Sequence, residues 1–208
     1  MTRRNHPCAA PLASLAKWIS RARVRWIDCP AVPRPRIYFA NHSSHLDFVV
    51  LWAALPAAIR LETRPVAARE YWESTPMRSY LATRVFRSIL VARHDAAPLA
   101  GRATLYPLLQ EIDCGRSLVL FPEGTRGDGR EIAKFQDGLY QLCRQRPQLE
   151  LVPVYLENLH RILPKGEVLP RPRGSRVTFG PPLRLDSGEG HREFLARARQ
   201  ALHDLKDR

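Results

Sequence analysis

The sequence predicts a single α/β domain with a mostly parallel central sheet flanked by helices. Three observations carry this. The runs Ser117-Leu118-Val119-Leu120-Phe121 and Leu149 to Tyr155 are almost unbroken in hydrophobicity, as strands covered on both faces are. Segments with helical patterning separate such runs, and strands alternating with helices give a parallel sheet. At 208 residues the chain can build one sizeable core, and its 45% hydrophobic content excludes wholesale disorder. There is no internal repeat, low-complexity tract or domain linker.

The elements follow in order. Pro11 to Ala22 reads as an amphipathic helix: Leu12, Leu15 and Ile19 share a face, Trp18 flanks it, and Lys17 and Arg21 point away. Two placements fit this pattern. One lies in a membrane interface; the other docks on the protein's own core with its basic face solvated. Residues 1–22 are therefore set apart as a basic N-terminal helix and a membrane-surface candidate, with residues 23–208 as the main domain. Arg23-Val24-Arg25-Trp26 alternates as a half-buried strand does, and Arg36 to Ala40 is the next strand. An apolar helix from Phe48 to Leu55 is followed by a short strand at Pro65 to Ala68. Pro76 to Phe86 is helical, with Pro at its start where the missing amide costs nothing. Ser88 to Val91 is a strand ending at Arg93. Leu99 to Ile112 is a helix that Pro107 kinks or restarts, and Gly115 stops it. Asp137 to Arg146 is helical, Leu163 to Arg173 is a Pro-rich connector, and Arg176 to Phe179 is a last strand. Glu189 to Leu205 closes the chain as a helix with a stripe of Phe194, Leu195, Leu202 and Leu205.

Composition narrows the function classes. Cys8, Cys29, Cys114 and Cys143 form no CxxC pair, which argues against a zinc site or a disulfide framework and fits a reducing compartment. No segment has the architecture of a signal peptide. The longest apolar run, Phe48 to Ile59, is interrupted by Pro56 and is shorter than the ~20 residues a spanning helix needs. The net charge is +13, and residues 1–40 hold eight cations against Asp28 alone. Only four of the 33 cations are Lys; Arg suits bidentate phosphate contact. Such a surface serves nucleic acid, anionic lipid or an acidic carrier protein equally well.

Two polar clusters carry the candidate chemistry. Asn41-His42-Ser43-Ser44-His45-Leu46-Asp47 sits between a strand and an apolar helix, where a rigid scaffold holds reactive groups. Asp47, in the first helical turn, can reach back to His42; a carboxylate there fixes the imidazole's tautomer and stabilises its protonated form, as a general base requires. The bland alternative is a hydrogen-bonded structural His among capping residues. The second cluster, Phe121-Pro122-Glu123-Gly124-Thr125-Arg126, leaves a buried strand, and ligands bind beyond the carboxyl ends of such strands. Arg93, Arg126 and Lys134 would converge on one strand-end cleft and favour an anionic substrate, although each alone could be a solvated surface charge.

These clusters resemble the PlsC-type glycerolipid acyltransferases. The NHxSxxD block is matched by Asn41 to Asp47, the FPEGTR block by Phe121 to Arg126, and a KFxxG element by Lys134 to Gly138. Val152-Pro153-Val154 is similar to the family's fourth block, and Leu163 to Gly166 and Phe179 to Leu183 to its closing region. The second block departs from the family, with Ala92 where Asp commonly precedes Arg93. The resemblance spans residues 23 to 185 and makes residues 23–208 an acyltransferase domain. It implies transfer of a fatty acyl group from acyl-CoA or acyl-ACP to the free hydroxyl of a lysophospholipid, foremost 1-acylglycerol 3-phosphate. Other acceptors, a lyso-aminolipid or glycerol 3-phosphate, would use the same chemistry. His42 and Asp47 would be catalytic. Arg93, Arg126 and Lys134 would hold the acceptor phosphate, while Glu123, Gly124 and Thr125 shape the pocket and Glu123 reaches acceptor hydroxyls. Ser43 and Ser44 are loop hydrogen-bonders in this scheme, because direct attack needs no covalent intermediate. No cofactor or metal is called for. The implied partners are the acceptor, the thioester donor and an anionic membrane surface, with the enzyme peripheral on the cytoplasmic face of the cell membrane. A hydrolase lacks its GxSxG elbow here. A nucleic-acid-binding protein fits the charge but not the motifs, and no recognition signature is present.

Overall fold

The computed structural model describes residues 7–92, 102–163, 171 and 173–207. Helix α1 (Ala9–Ser20) precedes strands β1 (Arg23–Trp26) and β2 (Arg36–Ala40), then α2 (Asp47–Ala54), α3 (Ala57–Leu61), β3 (Thr63–Ala68), α4 (Arg69–Trp72) and α5 (Pro76–Tyr80). A π-helical turn, Leu81–Val85, leads to β4 (Ile89–Val91), α6 (Arg102–Asp113), β5 (Ser117–Leu120), α7 (Gly138–Gln145), β6 (Glu150–Glu157), α8 (Leu159–Ile162), β7 (Arg176–Phe179) and α9 (His191–Lys206).

The strands form one sheet in the order β1-β7-β6-β2-β5-β3-β4. All pairs are parallel except β6 with β7. The β1–β7 pair thus runs against the other five strands, a reversal that strand patterning alone does not show. The pleat divides the central strands between two cores. Ile37, Phe39, Leu118, Leu120 and Leu151 face α6, α7 and α9. Tyr38, Ala40, Val119, Val152 and Val154 face α2 and α8. Covering both faces explains why these strands are almost continuously apolar, and each fully buried Leu, Ile or Phe contributes about 1.5–3 kcal/mol.

Helix α1 starts and ends two residues earlier than its sequence pattern predicts. Ala9, Ala13, Ala16 and Ser20 form its buried side, and the three alanines pack on Phe48, Trp52 and Ala53 of α2. Small residues let the two helices approach closely. Of the predicted Leu12, Leu15 and Ile19 face, Leu12 and Ile19 are half-buried, whereas Leu15 is 49% and Trp18 71% exposed. The helix predicted over Pro76 to Phe86 has the Thr75 hydroxyl capping the Arg78 amide, and after Tyr80 it widens into the π-turn. Pro107 lies within α6. Helices α3, α4 and α8 are four or five residues long, too short for periodicity to reveal. Leu99, the predicted start of the helix that α6 became, lies outside the described residues, as does most of the Leu163 to Arg173 connector. Among the described residues no cysteine is paired in a disulfide.

Candidate active site

β2, β5 and β6 end at one edge of the sheet, and the two polar clusters leave it there. Asn41 makes the exit sharp: its Oδ1 accepts from the Leu156 amide at 2.8 Å and its Nδ2 donates to the Leu156 carbonyl at 3.0 Å. A side chain thereby completes the β2–β6 ladder while the main chain turns away. His42 follows. Its backbone N–H donates to Glu123 Oε1 at 2.7 Å, and its carbonyl accepts from the Gly127 amide at 2.8 Å. The loop after β5 therefore grips the His42 peptide from both sides.

The imidazole is set by two further contacts. Nδ1 lies 2.9 Å from Asp47 Oδ2, and the ring stacks on Phe121 with centroids 4.2 Å apart. Asp47 is fully buried at the start of α2. Its Oδ2 also accepts from the Ser43 and Ser44 amides at 2.5 and 2.8 Å, which fixes the carboxylate before any substrate arrives. The five-residue spacing thus folds the loop back on the first helical turn. Nε2 is left as the nitrogen available to a substrate proton. Ser44 Oγ donates to the Leu163 carbonyl at 3.0 Å, the loop-bracing role expected of it.

Beside His42 lies a cavity of about 180 Å3. Its walls are mainly apolar, with Phe48, Val66, Tyr71, Trp72 and Leu120 among them; His42, His45 and Arg126 supply polar groups. Arg126 Nη1 is buried without a hydrogen-bond partner, so a strong donor there awaits an acceptor. An apolar chamber lined also by a guanidinium with one unsatisfied nitrogen and by an oriented imidazole suits an amphiphile with an anionic head.

Gly124 lines the cavity at φ +74°, a conformation that favours glycine. Glu123 differs from the expectation that it reaches acceptor hydroxyls. It is only 3% exposed, and Oε2 accepts from the Ala133 amide at 2.8 Å while Oε1 holds His42. Both oxygens serve the backbone. Burial raises its carboxyl pKa above the usual range. Thr125 and Lys134 are exposed and outside the cavity wall. The loop carrying Lys134 turns Phe135 inward instead, so the expected convergence of three cations reduces to Arg126 among the described residues. Arg93 lies outside them.

His45 is more than a bystander in geometry. It lines the cavity and stacks on Tyr71 at 4.8 Å, with the Arg78 guanidinium 4.4 Å from the centre of that ring. Burial, then the nearby Arg126 charge, lowers its pKa to about 4, so the ring is neutral near pH 7. Tyr71 carries no motif and was invisible to sequence reasoning, and the bracing role of Asn41 emerges only with the Leu156 pairing.

The chain is similar to several known proteins. A 1-acyl-sn-glycerol-3-phosphate acyltransferase from Limnanthes alba is 31% identical over 152 residues, covering 72% of this chain and 50% of the relative. A protein named taffazin from Dictyostelium discoideum is 30% identical over 153 residues, covering 67% of this chain and 50% of its own. The chain therefore spans about half the length of the curated relatives it matches. The crystal structure of the 1-acyl-sn-glycerophosphate acyltransferase PlsC from Thermotoga maritima superposes with a TM-score of 0.70 at 18% identity, over 100% of this chain and 85% of that one, and shares its fold. A model of the Acyltransferase family matches residues 23–157, from β1 through the end of β6 and including both polar clusters. By that match, the chain belongs to the Acyltransferase family.

Proposed function

We propose that this protein moves a fatty acyl group from a coenzyme A or acyl-carrier-protein thioester to the free hydroxyl of a lysophospholipid, foremost 1-acylglycerol 3-phosphate, giving phosphatidic acid. The observation that carries the reading is the His42–Asp47 pair beside the same apolar cavity that Arg126, with its unpartnered Nη1, also lines. The names of the relatives favour this acceptor.

In this mechanism His42 Nε2 takes the proton of the acceptor hydroxyl as its oxygen attacks the thioester carbon. Asp47 holds Nδ1–H and stabilises the imidazolium that forms. Collapse of the tetrahedral intermediate expels the thiolate, which takes up the proton carried on Nε2. Arg126 binds the acceptor phosphate, with Arg93 in the same role. No step of this scheme runs through a metal or redox cofactor, and Ser43 and Ser44 remain loop braces.

Among the described residues no helix is long and apolar enough to cross a membrane. Exposed Leu15 and Trp18, with Lys17 and Arg21 alongside, suit a helix whose outer side rests in an anionic lipid interface while its Ala side stays docked on α2. The protein would then work peripherally on the cytoplasmic face of the cell membrane. The test is acyltransfer by wild type and His42→Ala, with lysophosphatidic acid in vesicles and both thioester donors. Phosphatidic acid formed by wild type alone is the expected result. Transfer only to an acceptor without phosphate would overturn the acceptor assignment, and equal activity in the variant would overturn the base.

A further inference from the structure

The mechanism above leaves one imidazole of the cavity wall unused, that of His45. Its ring stacks on Tyr71 with centroids 4.8 Å apart and an interplanar angle of 20°. Tyr71 is held in turn by the Arg78 guanidinium, 4.4 Å from its ring centre, and by the edge-on Trp72 ring at 5.5 Å. Packing therefore sets the His45 plane before any ligand arrives. Its nitrogens are another matter. His42 and His191 each have a carboxylate oxygen beside them, at 2.9 and 2.7 Å. Neither nitrogen of His45 has a hydrogen-bond partner among the described residues. Asp47, two positions on, supplies none: its Oδ2 serves His42 and the Ser43 and Ser44 amides, and its Oδ1 has no hydrogen-bond partner at all.

A side chain kept only as a packing plate on Tyr71 would need no nitrogens. Phe would stack there as well, without two polar atoms that lose water as the ring enters the half-buried wall. The neighbouring groups show what kind of ligand would use those nitrogens. Arg126, His42, Arg78 and Asp47 act on the ring; after burial itself, the strongest influence is the Arg126 guanidinium, which opposes a proton on His45. The ring is held neutral, with a pKa of about 4. Arg126 keeps its own Nη1 buried without a partner while lining the same cavity. A neutral imidazole N–H and a guanidinium N–H are thus two donors on one chamber. A phosphate satisfies both, because its several oxygens accept from separate donors, and bonds to an ionised acceptor are the stronger kind.

We propose that His45 is a ligand of the acceptor phosphate, donating to one of its oxygens while Arg126 holds another. This rests on the proposed acyl transfer to a phosphate-bearing lysolipid. His45 then supplies, from the His42 loop itself, a contact that the exposed Lys134 does not. A proton accompanies the phosphate. The incoming negative charge offsets Arg126 and favours the charged form of the imidazole, so binding draws one proton from solvent onto His45. His42 keeps its own role, with Nδ1 on Asp47 and Nε2 toward the acceptor hydroxyl.

The test pairs kinetics with NMR on the full chain. His45→Phe keeps a ring for the Tyr71 stack and removes both nitrogens, whereas His45→Gln keeps an N–H donor. With a short-chain 1-acylglycerol 3-phosphate, His45→Phe raises the acceptor KM about tenfold with kcat within about twofold, and His45→Gln recovers most of that loss. A packing role alone would reverse the order, with Phe the milder change. Imidazole NMR of the wild type, without thioester donor, needs neither variant nor turnover. At pH 6 the free His45 ring is about 1% protonated, and saturating 1-acylglycerol 3-phosphate raises that to about half. Equal acceptor KM in wild type and His45→Phe, or a His45 ring that stays neutral in the saturated complex, overturns this inference and leaves the proposed reaction standing. A wild type that neither binds nor acylates any phosphate-bearing acceptor overturns that reaction, and this inference with it.

Discussion

Replacing Glu123 by Gln separates two roles that this glutamate can play: holding the His42 peptide or binding substrate. The carboxylate accepts from the His42 amide at 2.7 Å and the Ala133 amide at 2.8 Å, one on each oxygen. Gln keeps one acceptor and puts an NH2 group where the other oxygen was, so one buried amide must face a donor. Losing one such bond costs about 1–3 kcal/mol. For a chain of this size that lowers Tm by about 3–10 °C. The catalytic effect follows from where the lost bond lies. His42 would then be held by the Gly127 amide and by Asp47 alone, and a general base displaced by a fraction of an ångström to 1 Å loses up to about 100-fold in rate.

The assay is initial rates across a range of acceptor concentration, paired with thermal unfolding. The expected variant has a lower Tm, a kcat reduced about 10- to 100-fold and an acceptor KM within about twofold of wild type. A raised KM with unchanged Tm would refute the reasoning and return Glu123 to the acceptor hydroxyls. The pH dependence has a definite sign. Burial raises the Glu123 carboxyl above the ordinary value of 4.5, so ionising it opposes folding. Its contribution is fully present below 4.5 and is lost as pH rises through the elevated value. The stability gap between wild type and Glu123→Gln should therefore narrow as pH rises through that window, read by denaturant titration at a series of pH values. A gap that widens would contradict the assignment.

Three further outcomes are expected. Asp47→Asn retains an oxygen for the Ser43 and Ser44 amides but removes the charge that stabilises protonated His42; kcat falls about 10³- to 10⁴-fold with an unchanged circular dichroism spectrum, and a loss under tenfold would remove Asp47 from the proton step. His45 followed by proton NMR titrates near 4 rather than 6.5; since its folded-state pKa is depressed, its contribution to stability is present above 6.5 and is lost as pH falls toward 4, a dependence that His45→Gln removes. Trp18→Ser with Leu15→Ser leaves Tm within about 2 °C because both side chains face outward, yet weakens cosedimentation with anionic vesicles about tenfold or more; unchanged binding would take α1 out of the membrane contact.

Much of the fold was legible because its causes are local. A strand buried on both faces is apolar along most of its length, so β2, β5 and β6 announce themselves, and α9 shows its inward stripe of Phe194, Leu195, Leu202 and Leu205. What sequence could not carry is pairing. Nothing in Arg176-Val177-Thr178-Phe179 says that β7 runs antiparallel to β6, because a short run buried at three consecutive residues serves either direction. Helix α1 illustrates a different blindness. Hydrophobicity ranks Leu and Trp above Ala, so pattern reading turns Leu15 inward; close packing on α2 instead selects the small residues, and the larger ones are left on the surface.

The site divides along the same line. His42 and Asp47 were readable because both lie within one loop and their spacing brings them together, and Gly124 because its turn demands a positive φ. Glu123 and Lys134 were misplaced for a shared reason: a charged residue in a motif is naturally assigned to the ligand, although the protein's own backbone also needs counter-groups. Glu123 satisfies two buried amides, and Lys134 stays in solvent because Phe135 takes the inward position of that loop. Asn41 makes the point most sharply. Its two hydrogen bonds reach Leu156, a strand residue 115 positions away that no local pattern can name, and they let the main chain leave the sheet at His42. The His42–Asp47 contact could thus be read from one heptapeptide, whereas the framework that holds it is distributed over β5, β6 and the loop to Ala133.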